Sequence, residues 1–405
     1  MATVFHNNLR PILILSKCIG LIDNAYTLEP NGLLFRKIDS TYNIFLEIAR
    51  MIVLLVCTHI YFHQLEPVFH LFQYINIVKF WNIIIAARVS TIWIIKFINS
   101  IIEFDRKFTP LTTTFSIPQY SLKGKNWYKI YISFILYFIG LKILQAYFFP
   151  MKTVNITSFV FSLFTPPYVM DYVVTITSCF FLQNLYVRFK SLNDLWKCLP
   201  PGLVAVPGQW TNIEIVVLVE NMRLMHTELC KLSKKFTQGY GPLLLGFYTF
   251  SFISMLIGEY MIIHDRTIFR ADPENDYRIV ISILVHLQIF TFMMSIIIFA
   301  SSIDEKRMKM ISYLRSYQIS NLHPDIKRQI KMFLQQISAN KYDQISAFGF
   351  FDINLFLVTS ILVLLTTGIS TMIQMKDHPI MLQLNNQTNF FLKKLELKFY
   401  QVECE

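Results

Sequence analysis

Ser346-Ala-Phe-Gly-Phe-Phe-Asp-Ile-Asn354 leads into Leu355-Phe-Leu-Val-Thr-Ser-Ile-Leu-Val-Leu-Leu365, and then into Thr366-Thr-Gly-Ile-Ser-Thr-Met-Ile-Gln-Met375. From Ile353 to Met375 no residue carries a formal charge. At about 1.5 Å per residue such a helix crosses about 30 Å of hydrocarbon, so a span is placed at 349–375. Six more apolar stretches lie upstream, at 42–64, 75–103, 127–149, 166–187, 242–264 and 279–301. The chain is 405 residues long, 54% hydrophobic and 16% charged. An ordinary soluble domain is about 25% charged, and here the apolar residues run in long blocks rather than amphipathic stripes. The reading is an all-α membrane protein with seven transmembrane helices, not a water-soluble enzyme.

The net charge of +11 would suit nucleic acid if the basic residues were not sorted by loop. The segments before span one, between two and three, between four and five, and between six and seven hold 23 Lys and Arg. The alternate segments hold far fewer. The positive-inside rule therefore puts the N-terminus in the cytoplasm and the C-terminus outside. Both glycosylation sequons, at Asn155 and Asn386, fall on the outer side. This orientation is opposite to that of a G-protein-coupled receptor. Of six cysteines only Cys404 lies outside, too few for an extracellular intrachain disulfide. Arg10 is followed by only five apolar or Pro residues, too short a core for a secretory signal.

The cytoplasmic segments read as helical extensions. Thr211-x-x-Glu214 is a capping box opening a helix to about Phe236, with Gly239-Tyr240-Gly241-Pro242 as the turn that starts span five. Pro324 suits the first turn of a further helix with Ile326, Ile330, Phe333, Leu334 and Ile337 on one face. Such apolar faces require a partner.

In the last span Thr367, Ser370 or Thr371, and Gln374 recur at helical spacing. They form one polar stripe, with Leu364, Leu365, Ile369 and Met372 turned away from it. Around a symmetry axis such a stripe would line a water-filled path with weak selectivity for cations. Alternatively, the hydroxyls bond their own backbone and Gln374 bonds a neighbouring helix.

The approach and the last span resemble the C-terminal signature of the insect gustatory receptor family. Gly349, Phe351 and Asn354 fit the approach, and Thr367 and Gln374 match the signature, while Gly368 stands for Tyr and Met375 for Phe. Leu9-Arg-Pro-Ile-Leu-Ile-Leu with Gly20-Leu21 is similar to the family's opening. The resemblance implies a tetrameric ligand-gated cation channel of the plasma membrane, homomeric or shared with related receptors. It implies a pore lined by the last span, plugged at Ile373 or Met375, and a ligand pocket in the outer half of the other six. The corresponding segments are 1–41 (cytoplasmic N-terminus), 42–301 (ligand-binding spans), 302–348 (cytoplasmic anchor helices), 349–375 (pore) and 376–405 (extracellular tail).

Polar groups inside a bilayer mark a cavity, a pathway or a partner. The outer halves hold Trp81 and Asn82, Lys142 and Gln145, Asp171 and Tyr172, Glu259 and Tyr260, and His286 and Gln288, with Arg88 near mid-span. Mixed charges at comparable depth fit a ligand cavity, the rings supplying flat walls. Snorkelling or mutual pairing of Lys142, Asp171 and Glu259 is the competing account. Lys79, Lys96 and Arg50, near span ends, are read as snorkelling. His59 and His63 stand four apart without a further ligand, so no metal site is read, and no catalytic grouping or cofactor motif is found. The expected function is a tastant-gated nonselective cation channel, its partners being a small-molecule tastant, permeating cations and membrane lipid but no nucleic acid. Bitter or other plant compounds are the expected ligands, with sugars, or an odorant-receptor-type channel needing a co-receptor, as alternatives.

Overall fold

In the computed structural model, residues 2–29, 32–36, 41–63, 70–114, 125–147, 165–208, 210–268, 274–316, 322–339 and 344–375 are described. Asn155, Asn386 and the 376–405 tail lie outside them, as does the side chain of Met375. The helices are α1 (Ala2–Cys18), α2 (Thr41–His63), α3 (His70–Thr114), α4 (Lys125–Tyr147), α5 (Pro166–Trp196), α6 (Asn212–Ile268), α7 (Glu274–Ser316), α8 (Pro324–Ala339) and α9 (Leu355–Met375). A short antiparallel ribbon, β1 (Tyr26–Leu28) and β2 (Leu34–Arg36), follows α1. Each of the seven expected spans corresponds to a helix.

Six of those helices, α2, α3, α4, α6, α7 and α9, are long and apolar enough to cross a membrane. The remaining one, α5, is buried along most of its length, including Asp171, Arg188 and Asn193. A helix walled in by other helices can carry polar residues if each finds a partner. Arg188 forks onto Asp105 of α3 at 2.9 and 2.6 Å and stacks over Phe5 of α1. This seats the N-terminal helix against the bundle.

At 57 residues α6 is about 85 Å long, almost three times the hydrocarbon thickness, so much of it lies beyond the bilayer. The expected break at Gly239-Tyr240-Gly241-Pro242 is absent, and the helix runs straight through it. The reason is tertiary: a Cβ on Gly239 would lie 3.0 Å from the Ile94 nitrogen, and one on Gly241 2.8 Å from the Phe348 nitrogen. Helix-weakening residues are kept where other backbones press closest. The capping box at its start forms as read, with Thr211 N donating to Glu214 Oε2 at 2.8 Å and Glu214 N to Thr211 Oγ1 at 3.2 Å.

The extensions of α5, α6 and α7 form a layer with α8. Ile326, Ile330, Phe333 and Ile337 are buried and Leu334 is half-buried, as their spacing predicts. Phe333 packs edge-on to Trp196 and His226, and Arg223 Nη1 donates to Gln336 Oε1 at 2.9 Å. Span seven begins later than read, at Leu355 rather than residue 349. Phe348 and Gly349 adopt left-handed backbone at φ of 53° and 81°, which ends any helix there. The Asn354 side chain then caps α9 by accepting from Leu357 N.

Candidate functional site

Two assemblies of polar residues stand out, one among α2–α7 and one along α9. In the first, Lys79 of α3 is buried rather than snorkelling. Its Nζ lies 2.6 and 2.7 Å from the two carboxylate oxygens of Asp171 and 2.8 Å from Ser251 Oγ of α6. Its ammonium also sits 4.9 Å above the Phe247 ring. The pair is strongly desolvated, so its attraction is not screened and neither partner can be removed cheaply.

Beside it, Lys142 of α4 is buried over the Tyr168 ring at 4.2 Å and donates to Gln145 Oε1 at 3.0 Å. Gln145 Nε2 reaches Gln288 Oε1 of α7 at 3.4 Å. Lys142 adds a second positive charge within electrostatic reach of Asp171. Tyr172, Phe138 and Phe292 form an aromatic wall, with ring centroids 4.9 and 6.4 Å from Tyr172. His286 Nδ1 faces the Ser282 carbonyl at 2.6 Å, and its other nitrogen lies against Gly258 and the Ser254 carbonyl. Among the described residues, the hydroxyls of Tyr172 and Ser254 and the amide oxygen of Gln73 are buried without a hydrogen-bond partner. Buried polar atoms ordinarily find partners, so this cluster retains unspent hydrogen-bonding capacity.

Of the candidate residues, Gln145, Asp171, Tyr172, His286 and Gln288 therefore line one polar region, together with Lys142. Trp81 is half-buried against Phe80, Asn82 is exposed beside Gly246, and Glu259 and Tyr260 are half-buried on α6. Arg88 does not join them. It bonds Glu47 of α2, which also holds Arg50, and Arg50 in turn donates to the backbone oxygens of Lys17 and Ile22. Arg50 is thus a clamp on the segment after α1, not a snorkelling end. Lys96 is exposed above the Trp93 ring, as a snorkelling residue would be. Sequence reading missed Lys79 and Ser251 as partners of Asp171. The signal was there: a Lys and an Asp in apolar spans at similar depth each demand an opposite charge.

Along α9 the division is sharp. All seven polar residues, Thr359, Ser360, Thr366, Thr367, Ser370, Thr371 and Gln374, are exposed. The residues turned to the rest of the chain are Leu357, Val358, Ile361, Leu365, Gly368, Ile369 and Met372, all apolar or Gly. Leu364, read as packing with Leu365, is instead 56% exposed, and Ile373 43%. Gly368 lies against α6, where a Cβ would be 2.8 Å from Leu256 Cδ1. The hydroxyls of Thr366, Thr367 and Thr371 donate to carbonyls one turn back, at 2.8–2.9 Å.

The family model described as 7tm Chemosensory receptor matches residues 9–378. The fold is similar to that of the insect olfactory receptor OR5 from Machilis hrabei in complex with eugenol, with a TM-score of 0.59 at 11% identity, covering 91% of this chain and 99% of that one. The same receptor without that ligand gives a TM-score of 0.57 at 12% identity, covering 90% and 97%. No curated protein matches the sequence.

Proposed function

The chain belongs to the 7tm chemosensory receptor family, and on that premise we propose that it is a gustatory chemoreceptor, a nonselective cation channel of the plasma membrane gated by bitter or other plant compounds. Its N-terminus and the α5–α8 layer face the cytoplasm, and its C-terminus faces outside. Four copies, of this chain or of this chain with related receptors, surround a pore lined by Thr367, Ser370, Thr371, Ile373, Gln374 and Met375.

The observation that carries the pore is the segregation on α9: every polar residue points away from its own chain. Lipid gives such a stripe nothing to bond, whereas a water-filled axis does. Because the Thr hydroxyl protons are spent on backbone carbonyls, the oxygens turn lone pairs outward. Lone pairs and amide oxygens suit hydrated cations without selecting strongly among them.

The ligand site is the polar region around Asp171. Since Asp171 is already neutralised by Lys79, it is a poor anion for a cationic alkaloid. The Tyr172–Phe138–Phe292 wall and the free Tyr172 and Ser254 hydroxyls instead favour a neutral aromatic with hydroxyl groups. One of the similar structures holds eugenol, a small phenol, and this favours a second reading in which the chain is an odorant-type subunit that opens only beside a co-receptor. A sugar-gated member is a third possibility within the same plan.

Whole-cell current from cells expressing this chain alone tests all three, with sugars, plant glycosides, alkaloids and volatile phenols perfused in turn. A fast, G-protein-independent cation current to plant glycosides or phenols is expected. A response to sugars alone would replace the ligand class, and current appearing only with a co-expressed relative would favour the odorant-type reading. In the responding channel, Gln374→Ala should change permeability while leaving ligand-dependent thermal stabilisation intact. Unaltered currents would remove Gln374 from the pore.

A further inference from the structure

The ligand and pore regions leave one charged feature of the fold unused. Lys107 lies 28 positions beyond Lys79 along α3, about 42 Å at 1.5 Å per residue, and so belongs to the opposite membrane face. There a shallow groove, open to solvent and enclosing only about 20 Å³, lies between α3 and α6. Lys107, Lys231 and Lys235 line it from two helices, and the exposed Arg106 and Lys234 adjoin them in sequence. Glu103 and Glu228 line it as well, Glu228 holding Lys231 at 3.0 Å, while Lys235 Nζ reaches Ser100 Oγ at 2.5 Å. Its remaining walls are the buried Phe104 and Leu232.

Basic residues scattered over a cytoplasmic face need no explanation beyond the positive-inside rule, but a cleft that mixes lysines with carboxylates does. An anion without donors would be attracted by the lysines and repelled by Glu103 and Glu228. A phosphorylated polyol satisfies both sets, its phosphates meeting the ammonium groups and its hydroxyls donating to the carboxylates. We propose that this cleft binds an inositol phosphate group, carried on an inner-leaflet lipid or free in the cytoplasm. A basic pocket between helices at the cytoplasmic surface is the arrangement that captures such headgroups. The proposal rests on the reading above that this face is cytoplasmic.

The test is binding by the full-length protein in phosphatidylcholine nanodiscs, which expose both faces and so do not depend on orientation. Orientation itself is read separately, from antibody access to an N-terminal tag on intact cells. Retention of phosphatidylinositol 4,5-bisphosphate over phosphatidylserine at equal total charge, weakened about tenfold in Lys107→Gln/Lys231→Gln, is the expected result. Both lysines are exposed, so the variant should keep its wild-type melting temperature. Equal binding of soluble inositol trisphosphate would identify the free phosphate as the source, and preference for the lipid would identify the membrane. Equal retention of phosphatidylserine and the bisphosphate, or a variant that binds as wild type, would overturn the site.

Discussion

Lys79 and Asp171 exchange two short contacts where water does not reach, and Ser251 takes a further ammonium proton. Removing either charge leaves the other buried without a counter-ion, which costs about 3–5 kcal/mol, whereas removing both can be close to neutral. Lys79→Met and Asp171→Leu should therefore each lower the melting temperature of the detergent-solubilised protein sharply, and the double variant should recover most of the loss. Additive losses in the double variant would mean that the two residues do not act as a pair. The pair also illustrates what was readable one residue at a time. Asp171 stood out because a carboxylate in an apolar span is conspicuous. Lys79 did not, because a lysine about one turn from a span end can reach water by its long stem, and only its neighbours across the bundle decide whether it does. The partner of Arg88 is hidden from the sequence in the same way, Glu47 being 41 positions away in another helix.

Elements were easier to read than their junctions. Every span corresponds to a helix because some twenty apolar residues leave few alternatives in a bilayer, and the α8 face follows from its 3.6-residue period. The two boundaries misread, through Gly241 into α6 and from residue 349 into α9, meet in space: Gly241 presses on Phe348. Local propensity assigned a turn to the first and helix to the second, and packing between them reversed both. Gly241→Ala would set a methyl 2.8 Å from the Phe348 nitrogen, against backbone that cannot swing aside. Overpacking of this kind costs about 1–3 kcal/mol. Because Phe348 leads directly into α9, the variant should lose stability and also shift the resting current, whereas Gly140→Ala, which meets nothing within 4 Å, should do neither. A Gly241→Ala channel with wild-type melting and wild-type resting current would show that this contact is slack.

At the scale of the molecule, the layer beyond the bilayer has its own titration. Burial pushes the His226 imidazole down to about 4, with the positive charge of Arg307 acting in the same direction. It packs between the Phe189 and Phe333 rings, beside the Cys230 thiol. The unfolded segment takes up a proton near pH 6.5 and the folded one does not. This contribution is therefore fully present above pH 6.5 and falls as acid is added, by about 1.4 kcal/mol per unit, until about pH 4. Melting temperature between pH 7.5 and 5 should fall in the parent and fall less in His226→Phe, and equal slopes would exclude His226 as the cause.

The intramembrane half makes a different demand, because α9 buries little of itself against its own chain. A helix with an apolar seam on one side and seven polar residues on the other is incomplete as a single copy. Symmetry about an axis beside the polar face completes it, each copy supplying one wall of a channel. If α9 lines that axis, cysteines on the two faces will differ in their reach to a second copy. Gln374→Cys should form an intermolecular disulfide on mild oxidation, since near-axial positions bring Cα atoms within about 7 Å. Leu365→Cys, turned into its own bundle, should remain a monomer on a denaturing gel under the same conditions. The chain's own six cysteines, Cys404 among them, stay in place as a background that the parent chain measures. Crosslinking at 365 and not at 374 would turn the helix by half a revolution and place its hydroxyls elsewhere than on the pore.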